Sequence, residues 1–91
     1  MAQGNPAEFV RAQLALGGVQ AQVSARTVAY QRLSHHPDWS VSVYCAAEAK
    51  DPAVRLLRAL GLHRYHDEPI NETQVWIQML LSAEAWHAIQ P

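Results

Sequence analysis

The stretch that decides the fold is Trp39 to Leu62, WSVSVYCAAEAKDPAVRLLRALGL. Its first part alternates. Val41, Val43, Cys45 and Ala47 fall on one side and Ser40, Ser42, Tyr44 and Ala46 on the other. A strand sends successive side chains to opposite faces, so this is a strand with one apolar face. Its second part carries helix punctuation. Asp51 is suited to cap the first turn, and Pro52 to the first helical position, where its missing N–H costs nothing. Val54, Leu57 and Leu60 form a stripe at helical spacing, with Leu56 beside it and Arg55 and Arg58 opposite. Gly61 can take the left-handed conformation that ends a helix, letting Leu62 fold back onto Leu57.

Working towards the N-terminus, His35-His36-Pro37-Asp38 reads as a four-residue loop. Val19, Ala21, Val23 and Ala25 alternate with Gln20, Gln22, Ser24 and Arg26. That favours a strand, although Val19, Val23, Thr27 and Tyr30 also fit a helix. An antiparallel hairpin around the loop would set Arg32 opposite Val41, Tyr30 opposite Val43 and Val28 opposite Cys45. This register needs a bulge between Ala25 and Val28, where the alternation changes phase. Further back, Asn5-Pro6-Ala7-Glu8 resembles a helix start, with Asn5 as cap and Glu8 reaching back to it. The helix would bury Phe9, Ala12 and Leu16, with Val10 and Leu14 adjacent, and end at Gly17-Gly18. Met1–Gly4 is read as a frayed terminus.

Towards the C-terminus, His63–Glu72 is charged and contains Pro69 and Asn71, so it reads as a loop with a short extended start. Thr73–Leu81 is a strand: Val75, Ile77, Met79 and Leu81 share one face, Trp76, Gln78 and Leu80 the other. Apolar residues on both faces imply cover on both sides or a contact with another chain. Ser82 would cap a final short helix with Glu84 near its positive end and Trp86 and Ile89 inward.

The expected fold is therefore α+β, in the order α-β-β-α-β-α. It is one domain over residues 1–91, with a three- or four-stranded, mainly antiparallel sheet and helices on one face. If the strands flanking the central helix were parallel, their connection should be right-handed. Hydrophobic residues make up 49% of the 91, enough for a compact core; if that core is thin, dimerisation would supplement it.

Seven basic residues stand against eight acidic ones, without a basic stripe, which disfavours a phosphate-gripping nucleic-acid surface. Cys45 is the single cysteine, so an intrachain disulfide is excluded; on the inward face it reads as a small buried hydrophobe. The start MAQGNPAEF lacks the basic and apolar runs of a signal peptide, and no apolar stretch is long enough to span a membrane. A soluble cytoplasmic protein is expected.

Three features could carry chemistry. His35-His36-Pro37-Asp38-Trp39 resembles the histidine–histidine–proline–acid–tryptophan motif of the pterin carbinolamine dehydratases, small α+β enzymes. The resemblance implies acid/base roles for His35 and His36 and a pocket wall at Trp39. An imidazole suits such a role because it exchanges protons near neutral pH. The match covers five residues, and the family's later histidine and Gly-rich turn have no counterpart at Ala46–Asp51. Read without ancestry, the string is a polar hairpin turn. Second, His63 and His66, with Asp67 and Glu68, have metal-compatible spacing, but a solvated charged loop explains them equally and no metal is assigned. Third, Asp51–Leu62 with His63-Arg64-Tyr65 resembles a late helix and strand of acyl-CoA-dependent acetyltransferases and a segment of vicinal-oxygen-chelate modules. Helix capping explains the same residues, no phosphate cradle accompanies them, and no function is carried over.

Trp and Tyr dominate interface hot spots because they bury much area at small entropy cost. Trp76, Leu80 and Tyr44 are the candidate interface. The leading functional expectation is a non-enzymatic binding or accessory protein acting through a protein–protein surface, as a homodimer and without a cofactor. The first alternative is a small-molecule or pterin-binding enzyme using His35, His36 and Trp39.

Overall fold

A computed structural model describes residues 4–28 and 38–90. The elements are α1 (Ala7–Leu16), β1 (Ala21–Val28), β2 (Asp38–Ala46), α2 (Lys50–Ala59), β3 (His63–Pro69), β4 (Gln74–Leu81) and α3 (Ala83–Ile89), with a 3-10 turn at Ala47–Ala49. The strands form one four-stranded sheet in the order β1-β2-β4-β3. Every neighbouring pair is antiparallel. The α+β class and the element order match expectation, with β3 added. Because β2 and β4 are antiparallel neighbours, the handedness rule for parallel crossovers does not apply to α2.

All three helices lie on one face. Val41, Val43 and Cys45 of β2 and Val75, Ile77, Met79 and Leu81 of β4 form a buried cluster with Val10 and Leu14 of α1, Ala53 and Leu57 of α2 and Trp86 of α3. Trp39 packs against this cluster from the same side. The opposite face of the sheet carries no helix among the described residues.

The hairpin β1–β2 forms, so the strand reading of this segment holds. Its register differs. Ala21 faces Cys45, Val23 faces Val43, Ala25 faces Val41 and Val28 faces Asp38, with continuous pairing. Val28 therefore does not face Cys45, no bulge interrupts Ala25–Val28, and Tyr30 and Arg32 lie outside the described residues. The shift is seven positions, an odd number, which moves every β1 side chain to the other face. The alternation of Ala21, Val23 and Ala25 agrees with this register, which a four-residue loop does not allow.

Glycine ends both longer helices in the same way. Gly61 sits at φ 100°. Its amide donates to the Arg58 carbonyl (3.0 Å), and the Leu62 amide reaches back to that of Leu57 (3.1 Å). Gly18 sits at φ 86°, with Gly18 donating to Ala15 (3.0 Å) and Val19 to Leu14 (2.8 Å). Both are Schellman motifs, and in each the back-folded residue, Leu62 or Val19, is buried beside its partner in the core.

The helix starts depart from expectation. α2 begins at Lys50, one residue before Asp51, with Ala49 at the cap and no side-chain cap bond; Pro52 is the third helical residue. Pro52 is tolerated there because the first-turn amides have no intrahelical acceptor. In α1, Asn5 Oδ1 accepts from the Ala7 amide (2.8 Å), while Glu8 turns outward to pair with Arg11 (3.0 Å) instead of reaching back. The buried stripe of α1 is Pro6, Val10 and Leu14, four residues apart, and Leu16 is 82% exposed rather than inward.

His63–Pro69, expected as a loop with only a short extended start, is the edge strand β3 over its whole length. Its ladder with β4 shifts by one residue between His63, opposite Leu80, and His66, opposite Gln78. Arg64 lies inside this irregularity at φ 58°. Asn71 then organises the turn into β4. Its Oδ1 accepts from the amides of Thr73 (2.9 Å) and Gln74 (2.9 Å). At the far end of β4, Ser82 caps α3 as expected, its Oγ accepting from the Ala85 amide (3.0 Å). A second, unexpected cap comes from β2: Asp38 Oδ1 accepts from the Ala83 amide (3.0 Å), and Asp38 is buried.

Candidate functional site: the uncovered sheet face

The uncovered face is a grid fixed by strand register. One row crosses the sheet as Gln22, Tyr44, Trp76 and Glu68. The next runs Ser24, Ser42, Gln78 and His66, and the third Arg26, Ser40, Leu80 and His63. Even-numbered residues of β1, β2 and β4 share this face, since the pleat alternates and pairing is in phase. The candidate interface residues Tyr44, Trp76 and Leu80 thus come together on one surface. Tyr44 and Trp76 are direct cross-strand partners, and Leu80 lies two rows along β4 from Trp76.

Trp76 is half-buried between its neighbours. The His66 ring meets its indole edge-on at 6.0 Å between centroids. Among the described residues its indole Nε1 is covered and has no hydrogen-bond partner. Tyr44 is 40% exposed, and Ile70, 50% exposed, lines the same shallow hollow as Tyr44 at that end of the sheet. The opposite end holds a groove of about 480 Å³, bordered by Arg26, Ser40, Arg64, Gln78 and Leu80. Gln78 Nε2 donates to Ser40 Oγ (2.8 Å) across its floor. Arg64, in the irregular backbone, borders this groove, while Tyr65 faces α2, where Arg58 stacks 5.6 Å over its ring. Tyr65 also donates to Asp67, which accepts from Lys50 as well (3.2 Å).

The remaining sequence candidates are dispersed. His35 and His36 lie outside the described residues. Trp39 faces the helices, opposite to Ser40, and serves the core. His63 and His66 both belong to exposed β3; His66 Nε2 pairs with Glu68 (3.3 Å), and no cluster of three or more metal-ligating side chains occurs among the described residues. Cys45 is buried and free, and burial pushes its thiol pKa up, which disfavours the reactive thiolate. Among the described residues no helix is long and apolar enough to cross a membrane.

Sequence reasoning missed the pairing of Arg26 with Arg64. They lie on opposite edges of the sheet, 38 positions apart in the chain (64 − 26), and only the order β1-β2-β4-β3 brings them to one groove.

No known protein family, curated protein or solved structure matches this chain. The functional reading therefore rests on the uncovered face alone.

Proposed function

We propose that the protein is a binding module that presents the uncovered sheet face to another protein, a second copy of itself in the simplest case. The observation that carries this reading is the direct pairing of Tyr44 with Trp76 on a face that no helix covers among the described residues. Large aromatic side chains lose little entropy on docking and exclude water well, so adjacent Tyr and Trp residues suit the centre of an interface. The covered Trp76 N–H, without a partner among the described residues, adds to the argument. Leaving such a donor without an acceptor costs roughly 1–3 kcal/mol, which a side-chain rotation onto a partner's acceptor would recover.

Light scattering tests the reading. The wild type is expected at twice the chain mass of 10.1 kDa at tens of micromolar, and Trp76→Ala and Tyr44→Ala at the single mass. Leu16→Ala, which removes an exposed apolar side chain on α1, should leave the mass unchanged. The reading fails if the wild type is monomeric and Trp76→Ala captures the same proteins from its host as the wild type does.

A further inference from the structure

We propose that the groove at the Arg26–Arg64 end of the sheet binds a phosphate monoester. The inference does not rest on the protein-docking reading, since it concerns a small ligand held by two arginines outside the Tyr44–Trp76 pair, with Leu80 alone common to both.

The argument begins with reach. β1 and β3 are the two edges of the sheet, separated by β2 and β4. Three inter-strand spacings put them roughly 14 Å apart. Two arginines leaning inward from these edges can converge over the middle strands, where Ser40 and Leu80 are direct partners. Both arginines border the same groove. Neither guanidinium is ion-paired among the described residues, whereas Arg11 pairs with Glu8. Among the described residues no carboxylate borders the groove. Asp38, at the start of β2, accepts from the Ala83 amide of α3.

The site therefore presents two positive charges without a compensating negative one. A phosphate monoester near neutral pH carries close to two negative charges and three acceptor oxygens. Guanidinium matches that geometry with paired N–H donors. Ser40 and Gln78, already joined to each other, supply a hydroxyl and an amide on the floor. Leu80 provides an apolar surface for the organic part of the ester.

The backbone at Arg64 is a second observation. A left-handed residue inside a strand is ordinarily glycine, since only glycine adopts it freely. Here the position carries arginine, and that arginine borders the groove.

Titration of the full chain followed by amide NMR tests the proposal, with phenyl phosphate as probe and benzoate as the singly charged comparison. Phenyl phosphate should shift the amides of Arg26, Ser40, Arg64 and Leu80 saturably. Arg26→Gln and Arg64→Gly should each weaken binding about tenfold or more, the loss expected for a hydrogen bond to a charged group. Arg64→Gly keeps the left-handed backbone, so weaker binding by a variant that melts no lower than the wild type separates the ligand contact from folding. The proposal is overturned if the shifts map to Lys50, Arg55 and Arg58 instead, if both variants bind as the wild type does, or if benzoate binds as tightly as phenyl phosphate.

Discussion

At φ 58°, Arg64 pays for a conformation that glycine adopts without strain. A left-handed residue with a Cβ costs roughly 1–2 kcal/mol, so Arg64→Gly is expected to raise the unfolding free energy by about 1 kcal/mol, read by urea denaturation. The reverse holds at the helix ends. Gly18→Ala and Gly61→Ala place a Cβ at φ 86° and 100°, and each should lose about 1 kcal/mol. At Gly18 no neighbour lies within 4 Å of the added atom, so the loss there is conformational alone. Cys45 offers a pH test. Burial raises its pKa in the folded state, so the unfolded chain ionises first as pH rises. Stability from this group is complete below the unfolded-state pKa, about 8.5, and is lost as pH rises towards the higher folded value. Between pH 8 and 10 the urea midpoint of the wild type should therefore fall more than that of Cys45→Ala.

At the scale of the element, the legible parts are those whose own residues carry the signal. β2 and the end of α2 could be read directly, because one-sided burial imposes period-two alternation and a left-handed terminus demands glycine. β3 could not. It is an edge strand whose residues are nearly all exposed, so no buried face writes an apolar pattern into His63–Pro69. Its existence depends on β4 offering a free edge, which is a property of topology. The same holds for the cap that Asp38 supplies to α3, where donor and acceptor are 45 positions apart. Ser82, by contrast, caps locally and was legible. Removing either acceptor tests this division. Ser82→Ala should destabilise by about 1 kcal/mol through the loss of a cap. Asp38→Ala should cost more, because it strips a buried charged acceptor from the Ala83 amide. Circular dichroism melts of the two variants give the comparison. The candidate site divides likewise: the shared face of Tyr44, Trp76 and Leu80 follows from alternation within β2 and β4, whereas the Arg26–Arg64 groove needs the full strand order.

For the whole molecule, the asymmetry of the sheet separates two kinds of stability. One face is closed by three helices and supplies the core. Leu57 is fully buried there, and Leu57→Ala should cost about 2–5 kcal/mol through lost burial and the cavity left behind. For a domain near 100 residues each kcal/mol moves the melting temperature by roughly 4–8 °C, so the variant should melt at least about 8 °C lower. That loss belongs to the single chain and should be the same at every protein concentration. The other face stabilises only if a partner covers it, and stabilisation by association grows with concentration. Trp76→Ala should therefore behave differently: its melting temperature should stay nearly constant on dilution, while that of the wild type falls. Calorimetry over a hundredfold range of concentration reads both effects in one series. A concentration-independent wild type would place all the stability in the helical face and remove self-association from the proposed role of Trp76.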